Sequence, residues 1–184
     1  MKPSIDTAEL VITAPETISA PLAYAARCRQ TIGVLTELIA TANQRVVIAA
    51  PFLQPGAGLS SGVLSAALVS ALRRGVLVDL VSTGQSLLTI DADQLRKVTG
   101  GRLRLFRPVV NVLDEKVLGS HAKFCVADGS AAYVGSANLT GPALFGQLEM
   151  GILMRGPLAR QVEEFWNLCL QVGIFAEASD TRGS

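Results

Sequence analysis

The chain has 184 residues, of which 49% are apolar and 17% are charged, and its formal net charge is +1. This length suits one domain, and the absence of any run of about 20 apolar residues excludes a predicted transmembrane helix. The near-neutral charge excludes any argument for a polyanionic partner from the chain as a whole. Residues 1–7 lack the basic and apolar stretches of a secretory signal, and the three cysteines lack metal-ligand spacing. We therefore expect a cytoplasmic protein with reduced thiols.

The first half of the chain has the pattern of alternating strands and helices. The N-terminal segment, residues 1–28, contains a short apolar run at Leu10 to Thr13 that predicts a first strand. Helical spacing of apolar residues and valine-rich runs then predict alternating elements. These are a helix over Arg29 to Ala42, a strand over Arg45 to Ala50, a helix beginning near Ser60 or Ser61 and a strand over Val76 to Val81.

The second half adds strands that follow one another closely. The pattern predicts a short helix over Asp91 to Val98, then strands over Arg102 to Phe106, Ala122 to Ala127, Ala131 to Val134 and Glu149 to Met154. Asp128-Gly129 is typical of a hairpin turn, and Gly156-Pro157 begins a last helix. The polar tail, residues 176–184, is expected to be loose. Together these elements predict an α/β fold in which a mixed β-sheet is flanked by helices on both faces.

One segment carries a cluster of chemically active residues. His121 and Lys123 alternate along a predicted strand, so their side chains share a face. A hairpin would bring Ser136 and Asn138 back beside them, and Glu149 begins a following strand that reaches the same edge of the sheet. This arrangement gathers an imidazole, an ammonium, a hydroxyl, an amide and a carboxylate without requiring a metal.

These side chains suit phosphoryl transfer. Lys123 and Asn138 can neutralise and hydrogen-bond the non-bridging oxygens of a phosphodiester. A neutral His121 imidazole can attack phosphorus and form a covalent phosphohistidine, which divides one difficult step into two. Glu149 or Ser136 is a candidate to orient the ring by accepting the proton of its other nitrogen.

The pattern His-x-Lys-x4-Asp-x6-Gly-Ser-x-Asn resembles the HKD motif of the phospholipase D superfamily. His121, Lys123, Asp128, Gly135, Ser136 and Asn138 match at the family's spacing, and Glu149 stands where single-motif bacterial members carry a carboxylate. The resemblance extends from about Arg29 to Gln171, and we interpret residues 29–175 as a phospholipase D-like catalytic domain with the fold of one half-site. It implies a two-step hydrolysis without cofactor or divalent cation, in which Asp128 is structural and anchors the turn at Gly129.

His121 is the only histidine in the chain. The implied mechanism needs one histidine to attack phosphorus and another to protonate the leaving oxygen. We therefore expect a homodimer in which a two-fold axis brings two copies of His121 together. The high apolar content of the chain fits such an interface.

A basic stretch precedes the motif. Arg96, Lys97, Arg102, Arg104 and Arg107 occur with no acidic residue among them. Because Arg102 and Arg104 alternate with leucines, both could face water from one strand and contact nucleic-acid phosphates. An ordinary solvated edge strand, protected by its charges from aggregation, explains the same pattern equally well.

Three functions remain open from the sequence. The first is a nuclease acting on DNA or RNA, because small single-motif members of the family are mainly nucleases. The sequence around Gly135 to Gly141 and Leu148 to Leu153 also resembles phospholipase D-like proteins of prokaryotic defence systems such as DISARM. The second is a phospholipase D, with the loop Phe52 to Leu59 or Leu144-Phe145 as an apolar entry surface for phospholipid. The third is a nucleic-acid-binding subunit of a larger complex, which the intact motif disfavours.

Overall fold

The computed structural model describes residues 6–100, 102–109 and 120–178. Nine strands lie in these ranges: β1 (Thr7–Thr13), β2 (Arg29–Gln30), β3 (Arg45–Ala49), β4 (Leu77–Val81), β5 (Leu103–Pro108), β6 (Phe124–Ala127), β7 (Ala131–Gly135), β8 (Glu149–Arg155) and β9 (Phe175–Glu177). The helices in the same ranges are α1 (Glu16–Ala26), α2 (Thr31–Thr41), α3 (Gly62–Arg73), α4 (Gly84–Leu87), α5 (Ala92–Thr99), α6 (Gly141–Phe145) and α7 (Pro157–Gln171). None of these helices has the length and apolar character needed to cross a membrane.

The strands form one mixed sheet in the order β2-β1-β8-β7-β6-β3-β4-β5-β9. β3, β4 and β5 are parallel, whereas β6, β7, β8 and β1 continue the sheet from β3 in antiparallel pairs. Helices α2 and α3 cover one face, where Leu38 and Leu64 are buried, and α7 covers part of the other. The predicted fold class is confirmed.

Helix α7 is held on the sheet by one buried aromatic residue and one buried carboxylate. The Trp166 ring meets the Phe106 ring edge-on, with 5.2 Å between centroids. The Trp166 Nε1–H donates to the carboxylate of Asp79, which is fully buried on β4 (3.1 Å). Arg45 and Arg104 also donate to this carboxylate. The interaction therefore joins α7 to three neighbouring strands.

Several elements differ from the prediction, among them the short helices α4 and α6, which were not predicted. Arg29 and Gln30 form the short edge strand β2, so the first helix of the predicted series begins at Thr31. The N-terminal segment contains α1, which was not predicted because it buries none of its residues and carries Pro21. Phe175–Glu177, at the start of the expected loose tail, pairs with β5 as the edge strand β9. Residues 179–184 of that tail lie outside the described residues.

The β6–β7 hairpin places the motif at one edge of the sheet. Its turn has positive φ at both Asp128 (52°) and Gly129 (59°), as a type I′ turn requires, so the predicted hairpin is confirmed. β6 is antiparallel to β3, and its first residue, Phe124, pairs with Ala49 at the end of β3. The residues before β6 therefore lie at the carboxyl ends of the parallel strands, where open α/β sheets bind ligands.

Candidate active site

Lys123 and His121 form the centre of the site. They precede β6 rather than lying within it, and Lys123 is only 6% exposed whereas His121 is exposed. The Lys123 ammonium donates to the His121 carbonyl (3.1 Å) and lies 3.2 Å from Nδ1 and 3.3 Å from Nε2 of the imidazole. Burial lowers the pKa of Lys123, and the charge of Glu149 partly opposes this shift. A cation is therefore held against the face of the exposed imidazole.

Ser136 and Glu149 come together on the two strands beyond β6. The Ser136 hydroxyl donates to the Glu149 carboxylate and accepts from the Met150 backbone N–H (3.1 Å). The Ser136 N–H in turn donates to the Met150 carbonyl (2.9 Å). In the described part of the chain neither residue hydrogen-bonds to His121, so the expected orienting contact is not made within one chain.

Asn138 follows β7 and is held by the loop after β3. The N–H of its neighbour Leu139 donates to the Phe52 carbonyl (3.3 Å), and the Gly141 N–H donates to Gln54 Oε1 (2.7 Å). Asn138 Oδ1 is buried and has no hydrogen-bond partner among the described residues. The backbone on the C-terminal side of Asn138 is thus tied to the loop after β3, and the unpaired atom of its side chain is the amide oxygen, a hydrogen-bond acceptor.

Asp128 lies at the other end of the hairpin and is structural. Its carboxylate accepts from the backbone N–H groups of Asn43, Gln44 and Arg45 at 2.8, 2.8 and 2.9 Å. Burial raises the pKa of Asp128, but these hydrogen bonds outweigh it and leave the pKa below its ordinary value. The residue ties the α2–β3 loop to the hairpin turn, and it lies too far along β6 to join the reacting groups.

Tyr133 is a residue whose role in the site the sequence did not reveal. Its ring is 2% exposed and occupies the space that a Cβ atom would need at Gly135 and Gly151. These two glycines are paired across β7 and β8; Gly135 directly precedes Ser136, and Gly151 follows Glu149 by two residues. The ring can lie flat against the two strands because neither glycine has a side chain.

The basic stretch is divided between different parts of the fold. Arg104 does not face water freely as expected, because it is ion-paired with the buried Asp79 (2.7 Å). Arg96 donates to the Leu103 carbonyl, which places it with Lys97 and Arg102 at the start of β5, opposite the site edge. Arg107 is exposed near the carboxyl end of β5. The structure therefore does not gather these residues around His121.

Within the described ranges, no group of three or more His, Cys, Asp or Glu side chains is arranged to hold a metal ion. Cys125 shares the buried face of β6 with the site, and burial raises the pKa of its thiol to about 12, so it is not a nucleophile. The groups at the site edge are those needed to bind and attack an anionic phosphodiester.

A mixed α/β sheet with an HKD motif at the carboxyl ends of its parallel strands is typical of the phosphodiesterases of the phospholipase D type. The family described as "Cardiolipin synthase, PLD-like domain" matches residues 35–169, and the chain belongs to this family of the phospholipase D superfamily. Among curated proteins none matches the sequence significantly.

Solved structures share this fold at low sequence identity. Nuc from Salmonella typhimurium, a phospholipase D family member, matches 96% of this chain and 100% of its own with a TM-score of 0.63 and 17% identity. NucT from Helicobacter pylori matches 92% of this chain and 99% of its own, with a TM-score of 0.64 and 14% identity. Phosphatidylserine synthase from Haemophilus influenzae has a TM-score of 0.65 and 13% identity over 96% of this chain but only 41% of its own.

Proposed function

We propose that the chain is a phosphodiesterase that acts through a covalent phosphohistidine at His121 and cleaves nucleic-acid phosphodiesters without a metal ion. The observation that carries this proposal is the contact between the buried Lys123 ammonium and both ring nitrogens of the exposed His121. An ammonium in this place favours an anion in front of the imidazole. Asn138 and the Ser136–Glu149 pair border the same edge of the sheet.

The reaction has two steps. In the first, an imidazole nitrogen of His121 attacks phosphorus, the bond from phosphorus to the leaving oxygen breaks, and a second imidazole gives that oxygen its proton. In the second, water attacks phosphorus, its proton passes to the second imidazole, and the phosphorus–nitrogen bond breaks. Lys123 and Asn138 stabilise the charge on the non-bridging oxygens throughout.

The second imidazole must come from another polypeptide, because the chain has one histidine. A second copy related by a two-fold axis is the simplest source. The surface next to the site supports this homodimer with two exposed apolar features on one side of the sheet. The open sheet face consists of Val134, Met150 and Ile152, which are 40%, 55% and 38% exposed. The α7 stripe consists of Leu158, Phe165 and Leu168, which are 40%, 58% and 55% exposed.

These two features complement each other. Val134 on β7 pairs with Phe124 on β6 and with Ile152 on β8. The side chains of these three residues lie on the face of the sheet that α7 covers in part. Phe165 and His121 line one cleft of about 270 Å³, so this apolar surface reaches the catalytic residue. If the α7 stripe of each copy packs on the open sheet face of the other, both apolar features are buried and the two copies of His121 approach each other.

Nucleic acid is the substrate that we favour. The chain matches Nuc and NucT over nearly their entire lengths but covers 41% of phosphatidylserine synthase, so in size it resembles the small single-motif members. TrmBL2, an archaeal chromatin protein described as showing a novel mode of DNA binding, shares the fold with a TM-score of 0.52. The sequence identity is 14%, and the match covers 52% of the TrmBL2 chain. A role in prokaryotic defence stays a prediction, as does phosphate binding by Arg107.

The test uses wild-type protein and His121→Ala in EDTA, each incubated with single- and double-stranded DNA, RNA and phosphatidylcholine vesicles. We expect cleavage of nucleic acid by the wild type only, and an acid-labile, base-stable phosphorylated species in quenched wild-type reactions. The pH profile should be bell-shaped, because the two histidines act in opposite protonation states. Headgroup release without nucleic-acid cleavage would instead identify a phospholipase D. Nucleic-acid binding that survives the substitution, with no turnover of any substrate, would identify a binding subunit.

A further inference from the structure

The loop that follows β3 presents a single aromatic ring. Phe52 is 40% exposed, whereas its apolar neighbours Leu53 and Leu59 are 9% and 3% exposed. In the second apolar segment, Leu144 is likewise buried and Phe145 is exposed. Neither segment therefore offers the contiguous apolar patch by which proteins enter a lipid surface.

The backbone at Phe52 is tied to the segment that carries Asn138. Its carbonyl accepts from the Leu139 N–H, and Leu53 forms a parallel bridge with Leu139. Gly58 packs so closely on the Leu139 carbonyl that a Cβ atom would lie 2.6 Å from its oxygen. These contacts hold the backbone of Phe52 beside the backbone that carries the amide that we assign to the phosphate.

Phe52 also lies at the rim of the site. In the sheet β6 runs between β3 and β7, so the chain leading into β6 passes between the extensions of these two strands. His121 and Lys123 belong to that entering chain, Phe52 to the extension of β3 and Asn138 to the extension of β7. Pro51 and Ala122, the neighbours of Phe52 and His121, line the same small cavity.

We propose that Phe52 stacks on an unpaired nucleobase next to the scissile phosphate and thereby selects single-stranded nucleic acid. This inference rests on the proposed nuclease function and names its substrate class. One isolated ring matches the π-face of one base, whereas in a duplex both faces of each base are covered by its neighbours. Base–aromatic stacking is tolerant of sequence, so selection is by strandedness rather than by base identity.

The experiment removes the ring and the base, first separately and then together, and compares the effects on KM. Wild type, Phe52→Ala, Phe52→Leu and Phe52→Tyr are assayed on a short single-stranded oligonucleotide and on a series with one abasic position moved along it. Phe52→Ala is expected to raise KM on the intact strand about 5- to 100-fold with little change in kcat, since stacking is worth roughly 1–3 kcal/mol per base. Phe52→Tyr should retain the wild-type KM, and Phe52→Leu should not.

The abasic series identifies the partner of the ring. Wild type should lose affinity when the missing base adjoins the cleaved bond, and Phe52→Ala should be insensitive to that same change. An equal abasic penalty in both proteins, or full activity of Phe52→Leu, would overturn the stacking role while leaving the nuclease intact. Failure of the wild type to cleave any oligonucleotide, or turnover of phosphatidylcholine alone, would overturn the proposed function and this inference together.

Discussion

At the scale of single residues, the motif predicts the candidate reacting groups but not the Tyr133 ring that packs against Gly135 and Gly151. His121, Lys123, Ser136 and Asn138 could be recognised because their types and spacing are specific. The packing of Tyr133 over Gly135 and Gly151 could not, because it depends on the register between β7 and β8. Strand register follows from long-range pairing and is invisible in a local pattern.

Gly151→Ala tests whether Tyr133 sets the position of Glu149. The new methyl group would collide with the buried Tyr133 ring, so the ring or β8 must shift, at a cost of about 1–3 kcal/mol in stability. We expect kcat to fall at least roughly tenfold, because Glu149 stands two residues away on the same strand. Urea unfolding and steady-state kinetics measure the two effects.

The matched control for Gly151→Ala is the double variant Gly151→Ala/Tyr133→Leu. A smaller side chain at position 133 gives the methyl group space, so stability and kcat should recover together relative to Gly151→Ala. If the losses in unfolding free energy of the two single variants add up in the double variant, the ring and the glycine act independently.

At the scale of elements, most strands and helices could be predicted from the sequence. The hydrogen bonds that join these elements could not. The hairpin was predictable from Asp128-Gly129, yet the actual partners of Asp128 are backbone groups at residues 43–45, more than 80 positions earlier. Helix α1 and strand β9 were missed because neither buries a periodic apolar face. Strand β9 is defined by its pairing with β5 rather than by local propensity.

Asp128→Asn tests the link between the α2–β3 loop and the hairpin. Asparagine also tolerates positive φ, so the substitution weakens the hydrogen bonds without straining the turn. We expect a loss of about 1–3 kcal/mol in the free energy of unfolding at pH 7. Because the pKa of Asp128 is lowered by folding, its contribution is present above the unfolded-state pKa and disappears as the pH falls through the folded-state pKa.

The pH dependence is therefore the diagnostic measurement for Asp128. Urea unfolding of the wild type and Asp128→Asn should give a stability difference at pH 7 that narrows steadily as the buffer is made more acidic than about pH 4. A difference of the same size throughout that acidic range would mean that the carboxylate charge does not contribute.

Asp79→Asn tests how α7 is attached to the sheet. The substitution leaves two guanidinium groups, those of Arg45 and Arg104, without their fully buried counter-ion. Removing one partner of a buried ion pair costs about 3–5 kcal/mol, and we expect the lower end because both arginines reach solvent. Glu9→Gln, which breaks the exposed pair with Arg155, is the control and should change the unfolding free energy by less than about 1 kcal/mol. Equal effects of the two substitutions would contradict this role of Asp79.

At the scale of the whole molecule, the single histidine of the sequence predicts a partner, but no sequence pattern points to the surface that we propose for it. The open sheet face exists because the cluster under α7 includes Ala132 on β7 and Met154 on β8 but leaves Val134, Met150 and Ile152 exposed. No sequence pattern distinguishes these strand residues from those that α7 buries. Their exposure follows from where the helix crosses the sheet.

Ile152→Lys tests the open sheet face as the dimer interface. A lysine in the centre of a desolvated apolar contact should weaken the dimer at least roughly 100-fold, because its charge must be buried without a partner. Val63→Lys, on the exposed side of α3 across the sheet, is the matched control and should remain dimeric. Sedimentation velocity over a concentration series, with circular dichroism to verify folding, measures both. A dimer unaffected by Ile152→Lys would place the interface elsewhere.

Subunit mixing distinguishes a shared active site from a dimer of independent sites. If each phosphodiester requires His121 from both copies, a mixed dimer of wild type and His121→Ala is inactive. Equimolar mixing with complete exchange should then leave about one quarter of the activity per total dimer, since only dimers with two wild-type chains function. Independent sites would leave about one half, because every wild-type chain would remain active whatever its partner. The measurement needs two purified proteins and one rate. The proteins are incubated together at a concentration above the dimer dissociation constant until their subunits have exchanged. Retention of half the activity would show that one imidazole is sufficient, whatever the surface through which the chains meet.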